Sequence, residues 1–283
     1  MIEKDKERER VINAYTELER EGKFDIDVEK DPEAKEIKPN TVDYCQKKLS
    51  SKIKSKYTFH LARKFLNKLV KEGEFIIKDI KGIENLDNLN SGAIITCNHF
   101  SAMDSFAIQM VYEKSKWKNK RKFFRVIKEG NYTSYPGFYG TLMRNCNTLP
   151  LSRNLRTMVE FAKGVNYHLK NGNYVLIYPE QSMWWNYRKP KPLKPGAFTL
   201  AIKADVPVVP VFICMEDTDK IESDGYPLQA YTCYVGKPIY PNYDLDSSEN
   251  VKNMMEDNYN QWKNIYEEFY KVPLTYLCDT KKS

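Results

Sequence analysis

The segment Asn98-His99-Phe100-Ser101-Ala102-Met103-Asp104 sets a histidine and a carboxylate close together in the chain. A histidine with an acid folded back onto it is an oriented general base. The carboxylate selects the imidazole tautomer and stabilises the imidazolium that forms when the ring takes a proton. Such a pair also fits a structural or surface role, so its meaning depends on the elements around it. Just ahead lies Ala93-Ile94-Ile95-Thr96-Cys97, short, β-branched and opened by Ser91-Gly92, which reads as a buried strand. The chain must turn after it, and Ser101 or Ser105 could cap a helix that carries Asp104.

Comparable apolar runs recur along the chain. Residues 75–80, 123–127, 174–178, 208–213 and 231–235 read as further strands. Between them, Leu155, Met158, Val159, Ala162, Val165 and Leu169 form a helical stripe stopped by Asn171-Gly172. Other helices are expected from 104 to about Glu113, after Pro195-Gly196, and from Ser248 to Tyr270. Alternating strands and helices predict an α/β fold, a mixed and largely parallel sheet flanked by helices, with an N-terminal helical segment. Sheets of this kind place chemistry at strand ends, where both His99 and Glu180 fall.

At 283 residues the chain is long enough for one α/β domain with an additional segment. Lys and Arg number 45 against 38 Asp and Glu, leaving a net charge of +7. That excess favours anionic partners such as phosphate esters, acidic carrier proteins or anionic lipid, and it suits a solvated basic surface equally well. The lysines are scattered and no recognised module stands out, which argues against nucleic acid. The six Cys, at 45, 97, 146, 214, 233 and 278, include no C-x-x-C pair. Metal sites and a disulfide framework are therefore disfavoured, and reduced cytoplasmic thiols are expected. No P-loop, G-x-G-x-x-G run or metal-ligand cluster appears, so no cofactor is expected. No apolar stretch approaches the ~18–20 residues needed to span a bilayer.

Four segments organise the chain. Residues 1–40 are a charged extension with a weak stripe of Val11, Ala14, Tyr15 and Leu18, followed from Asp25 by an acidic linker. Residues 41–74 hold a basic amphipathic helix, in which Ile53, Tyr57, Leu61, Phe65 and Leu69 recur every fourth residue among lysines. That helix suits packing on the domain or burial among anionic lipids. Residues 75–247 form the core, and 248–283 a C-terminal helix and tail.

Four blocks occur in a telling order: Asn98-His99 through Asp104; Gly140 through Leu149-Pro150-Leu151-Ser152-Arg153; Tyr178-Pro179-Glu180-Gln181-Ser182; and Val206-Pro207-Val208-Val209-Pro210-Val211. Together they resemble the motifs of the glycerolipid acyltransferase family, typified by lysophosphatidic acid acyltransferases, whose first motif is Asn-His-x4-Asp. Lys128-Glu129 and Tyr135-Pro136-Gly137-Phe138 are similar to the family's lysine-bearing segment. The likeness covers roughly residues 75–240. One block departs: the family's Glu-Gly-Thr-Arg is Glu180-Gln181-Ser182-Met183 here, without the glycine or the phosphate-contacting arginine. Trp184-Trp185 and a basic run of Arg188, Lys189, Lys191 and Lys194 follow. This points to an anion contact moved along the chain, or to a sugar or larger head group on the acceptor.

The resemblance implies transfer of a fatty acyl group from acyl-CoA or acyl carrier protein to a hydroxyl of a lysolipid or glycolipid. His99 is then the base and Asp104 its orienting partner. The thioester is already activated, so no serine nucleophile is required, and no G-x-S-x-G elbow occurs. Asn98, Lys128, Arg144, Arg153, Glu180, Gln181 and Ser182 are the expected substrate-binding residues. The three cations suit phosphate or simply a charged surface. Glu180 resembles the acceptor-side carboxylate and could equally be a cap or salt-bridge partner. His168 is expected at a helix C-terminus, where the dipole favours a cation, and His60 on the surface. The alternatives are a hydrolase of the same architecture and a non-catalytic protein that binds membrane surfaces. The expected setting is cytoplasmic and peripheral, on an anionic membrane surface.

Overall fold

In a computed structural model that describes residues 2–29 and 33–279, the apolar runs become one seven-stranded sheet. Its strands are β1 (Ile76–Lys81), β2 (Ala93–Cys97), β3 (Phe123–Ile127), β4 (Thr148–Pro150), β5 (Tyr174–Ile177), β6 (Val208–Ile221) and β7 (Pro227–Val235). They lie in the order β1-β7-β6-β2-β5-β3-β4, all neighbours parallel except the antiparallel β6–β7 pair. The described helices are α1 (Ile2–Arg20), α2 (Leu49–Lys71), α3 (Glu84–Asp87), α4 (Asp104–Lys114), α5 (Glu129–Thr133), α6 (Gly137–Asn145), α7 (Leu155–Lys170), α8 (Gly196–Ala204) and α9 (Ser247–Tyr270). The expected α/β class, a largely parallel sheet flanked by helices with a helix at the N-terminus, is the one observed.

β2 lies at the middle of the sheet and all five of its residues are buried, which explains an unbroken apolar run without alternation. Successive side chains point to opposite faces. Ile94 therefore joins Val175, Val208 and Phe212 in a cluster packed with α7, α8 and α9. Ala93, Ile95 and Cys97 join a second cluster with Ala107, Ile108 and Val111 of α4 and Leu66 of α2. Burying each such aliphatic side chain contributes about 1.5–3 kcal/mol, so the two clusters clamp the sheet between them.

Two features differ from the sequence reading. β4 was not expected, because a three-residue run containing Pro150 carries no strand signal. It forms as an edge strand paired only with β3, where a proline lacking its N–H is tolerated. The segment after α1 has neither helix nor strand in its described residues, as a linker would, yet Phe24, Val28 and Ile37 are buried. Phe24 and Val28 join Val11, Trp184, Trp185 and Tyr187 in a third cluster. The Trp184-Trp185 pair is thus core for the N-terminal extension, which corrects the expectation that it offers a platform to a sugar.

Candidate active site

The chain leaves β2 at Cys97 and turns over the carboxyl end of the sheet, with Asp104 the first residue of α4. The helix N-cap is Met103 and not either serine; Ser101 Oγ instead accepts from the Met103 amide. The Asp104 carboxylate is held on both oxygens. Oδ2 accepts from the amides of Phe100 and Ser101 at 3.2 and 3.3 Å, and Oδ1 accepts from the Tyr178 hydroxyl at 2.6 Å. Oδ2 also lies 2.7 Å from His99 Nδ1. With a carboxylate there, Nδ1 carries the proton and Nε2 keeps the lone pair. The imidazole stacks on the Tyr178 ring with centroids 4.0 Å apart. The His99 side chain is 20% exposed and that of Asp104 1%, so the imidazole is reachable and the carboxylate that orients it is not.

Beneath His99 lies a buried polar frame. Asn98 ties β2 to β6, donating to the Ile213 carbonyl at 3.0 Å and accepting from its amide at 2.9 Å. Glu180 accepts from the His99 amide at 3.0 Å and from the Lys191 amide at 2.8 Å. The Lys191 ammonium stands 3.5 Å from the same carboxylate and donates to the Ser182 carbonyl and hydroxyl at 2.6 and 2.8 Å. Burial raises the Glu180 carboxyl, against the pull of Lys191 and the two amides, and the same burial lowers the Lys191 ammonium. Gln181 makes the turn at φ +66° and is exposed, while Glu180 and Ser182 are buried on either side of it. Asn98, Glu180 and Ser182 therefore build the floor of the site.

The expected cations are dispersed. Lys128, at the end of β3, pairs with Asp27 of the N-terminal extension. Arg144 is exposed and donates to the carbonyls of Tyr132 and Tyr135. The Arg153 side chain is 80% exposed and 3.9 Å from Glu129. It lines a surface cleft of about 640 Å³ with Lys38 and Arg156. Each member of the basic run that was expected to take over the anion contact has an internal carboxylate: Arg188 with Asp217, Lys189 with Glu19, Lys191 with Glu180, and Lys194 with Asp25.

Two positioning residues escaped the sequence reading. The sequence identifies Tyr178 as a strand end and as the aromatic opening the Tyr178-Pro179-Glu180 block, but not as a partner of Asp104. Lys191 is expected only as one member of the basic run that could take over the anion contact, although Pro190, Pro192 and Leu193 around it hint at burial. His168 stands in the last turn of α7, as expected, but its environment differs from that of a helix-end cation. It is buried, stacks on Phe124 and donates from Nε2 to the Tyr44 carbonyl at 2.8 Å. Desolvation pushes its pKa down to about 4, so it is a neutral core residue and not a helix-end cation. Among the described residues, no group of three or more His, Cys, Asp or Glu is placed to hold a metal, and no helix is long and apolar enough to cross a membrane.

Residues 78–214 match the family model named Acyltransferase. That span runs from β1 into β6 and contains His99, Asp104, Lys128 and Glu180. The chain is 30% identical over 152 residues to a chloroplastic 1-acyl-sn-glycerol-3-phosphate acyltransferase of Brassica napus, covering 53% of this chain and 40% of that one. It is likewise 30% identical over 148 residues to a chloroplastic 1-acyl-sn-glycerol-3-phosphate acyltransferase of Arabidopsis thaliana, covering 52% of this chain and 38% of that one. The match thus spans less than half the length of these curated relatives. Among solved structures, the 1-acyl-sn-glycerophosphate acyltransferase PlsC from Thermotoga maritima aligns with a TM-score of 0.51 at 20% identity, over 75% of this chain and 81% of that one, which shows a shared fold. Residues 78–214 of the chain thus match the acyltransferase family, and over that region the chain is similar to 1-acyl-sn-glycerol-3-phosphate acyltransferases.

Proposed function

We propose that this protein moves a fatty acyl group from an acyl thioester, acyl-CoA or acyl carrier protein, to the hydroxyl of a lysophospholipid of the 1-acylglycerol-3-phosphate class. The observation that carries this reading is the 2.7 Å contact between His99 Nδ1 and Asp104 Oδ2 beyond the end of β2. In the reaction, Nε2 takes the acceptor's hydroxyl proton as its oxygen attacks the thioester carbonyl. The tetrahedral intermediate then collapses, the C–S bond breaks, and the imidazolium returns the proton to the departing thiolate. Asp104 stabilises the imidazolium, and the Tyr178 hydroxyl and two amides stop the carboxylate from rotating away. Glu180 acts through the His99 backbone, which it fixes above the sheet.

A membrane surface is the proposed place where a lipid acceptor is met. Leu49, Ile53 and Tyr57 of α2 are 72, 60 and 63% exposed, and Lys48, Lys52, Lys54 and Lys56 lie among them. Phe65 packs against Phe138 and Tyr139 of α6, which are themselves exposed. The opposite face of α2 buries Ser55, Thr58 and Leu66 on the domain. The helix therefore offers one face to the core and a basic, apolar face outward, the pattern of an interfacial helix.

Free-thiol release from acyl-CoA and from acyl carrier protein, measured with and without lysolipids and glycolipids, tests the reading. Release that requires lysophosphatidate supports it. Acceptor-independent release would make the protein a hydrolase, and silence with both donors would leave a non-catalytic membrane-binding protein.

A further inference from the structure

Residues 24–27 lie across the turn that follows Glu180. Ser182 Oγ donates to the Phe24 carbonyl at 2.6 Å, and the Trp184 indole donates to the Ile26 carbonyl at 2.8 Å. Phe24 and Val28 are buried with Trp184, so the backbone of this strap is anchored. Asp27 is different, since its side chain is 36% exposed. Its two oxygens meet two donors of different origin: Oδ1 accepts from the Met183 amide at 3.2 Å, and Oδ2 accepts from the Lys128 ammonium. An ammonium and a backbone N–H converging on the two oxygens of one anion form a receptor that a phosphate fits equally well. The receptor borders the catalytic histidine: the residue after Met183, Trp184, donates its amide to the His99 carbonyl at 3.4 Å.

We infer that Asp27 occupies the place of the acceptor's head-group phosphate and sets the acceptor preference. A phosphomonoester must push this carboxylate off Lys128 before it can bind, whereas an uncharged glyceride does not. The inference rests on the acceptor reading above, yet the receptor can be probed without turnover. The side chain is the movable part. The ion pair is partly exposed and therefore modest in strength, and the strap backbone stays where Phe24 and Val28 hold it.

The full chain is titrated with sn-glycerol 3-phosphate, inorganic phosphate and glycerol, as wild type and as Asp27→Asn, Asp25→Asn and Asp27→Asn/Lys128→Gln. Asp27→Asn keeps the size of the side chain and an acceptor for the Met183 amide while removing the charge. It should bind glycerol 3-phosphate about fivefold more tightly than wild type, with glycerol unchanged, and the gain should vanish in the double variant. In transfer assays its KM for lysophosphatidate should fall to match, with KM for monoacylglycerol unchanged. Equal affinity in wild type and Asp27→Asn would overturn the inference. So would an equal gain in Asp25→Asn, which would mean only a loosened strap, or equal affinity for inorganic phosphate and glycerol 3-phosphate, which would mean a simple anion site. An Asp27-dependent gain in a chain that transfers no acyl group would overturn the acceptor reading and keep the receptor.

Discussion

Asp104 uses both carboxylate oxygens, one toward His99 and two amides, the other toward the Tyr178 hydroxyl, and this division positions the imidazole. Tyr178→Phe keeps the ring stacked on His99 and removes only the hydrogen bond. A hydrogen bond to a charged group is worth about 1.5–3 kcal/mol, so kcat should fall about tenfold or more while KM for the acyl donor stays put. Steady-state kinetics at fixed pH decides it; an unchanged kcat would show that the amides suffice. His168 gives a stability prediction with a definite sign. Its ring, with an ordinary pKa of 6.5, is held down to about 4 by burial, so the unfolded chain takes up the proton first. Its contribution is complete above about pH 6.5 and is lost as pH falls toward 4. His168→Gln, which keeps a donor for the Tyr44 carbonyl, should flatten the loss of stability between urea melts at pH 7 and pH 5; an unaltered slope would place the proton uptake elsewhere. At this scale the sequence showed His99 and Asp104, because one turn links them. It did not show Lys191, which a turn and not a regular element folds back onto Glu180, or Asp27, whose partner Lys128 lies 101 residues along the chain.

α2 illustrates what periodicity can and cannot reveal about an element. A repeat every fourth residue identified the helix, but Ile53 and Tyr57 point outward while Ser55, Thr58 and Leu66 are the residues buried on the domain. Polar residues on the buried side are invisible to a search for apolar stripes. If the outer face meets anionic lipid, each lysine near that surface is worth about 1 kcal/mol. Lys52→Gln together with Lys56→Gln should then weaken partition onto anionic vesicles roughly 30-fold at low salt, and much less at high salt. Vesicle cosedimentation with unchanged partition would return α2 to a packing role alone. The strands were legible where they are buried on both faces, as in β2 and β5. β4 was not, because three residues at an edge take their pairing from β3 and not from their own composition.

Across the whole molecule, the sheet places the His99–Asp104 pair at its carboxyl end, and the N-terminal extension closes over the turn beside it. Alternating strand and helix patterns were enough to predict the α/β class. The packing of residues 24–28 on Trp184 was not legible, since it depends on contacts between segments about 160 residues apart that no local pattern encodes. The departure of the third motif, Glu180-Gln181-Ser182-Met183, could be seen in the sequence, but not the strap that packs on it. The family span carries the His99–Asp104 pair and the Glu180 carboxylate that holds the His99 amide, and the proposed acyl transfer through His99 is the claim on which the rest depends. The most direct test is lysophosphatidate-dependent acyl transfer from acyl-CoA, and from acyl carrier protein if acyl-CoA is silent, followed for wild type and His99→Ala with matched far-UV spectra and melting temperatures. A folded His99→Ala protein that has lost about 10²–10⁴-fold in rate is the predicted result. A folded variant that transfers at the wild-type rate would contradict the account.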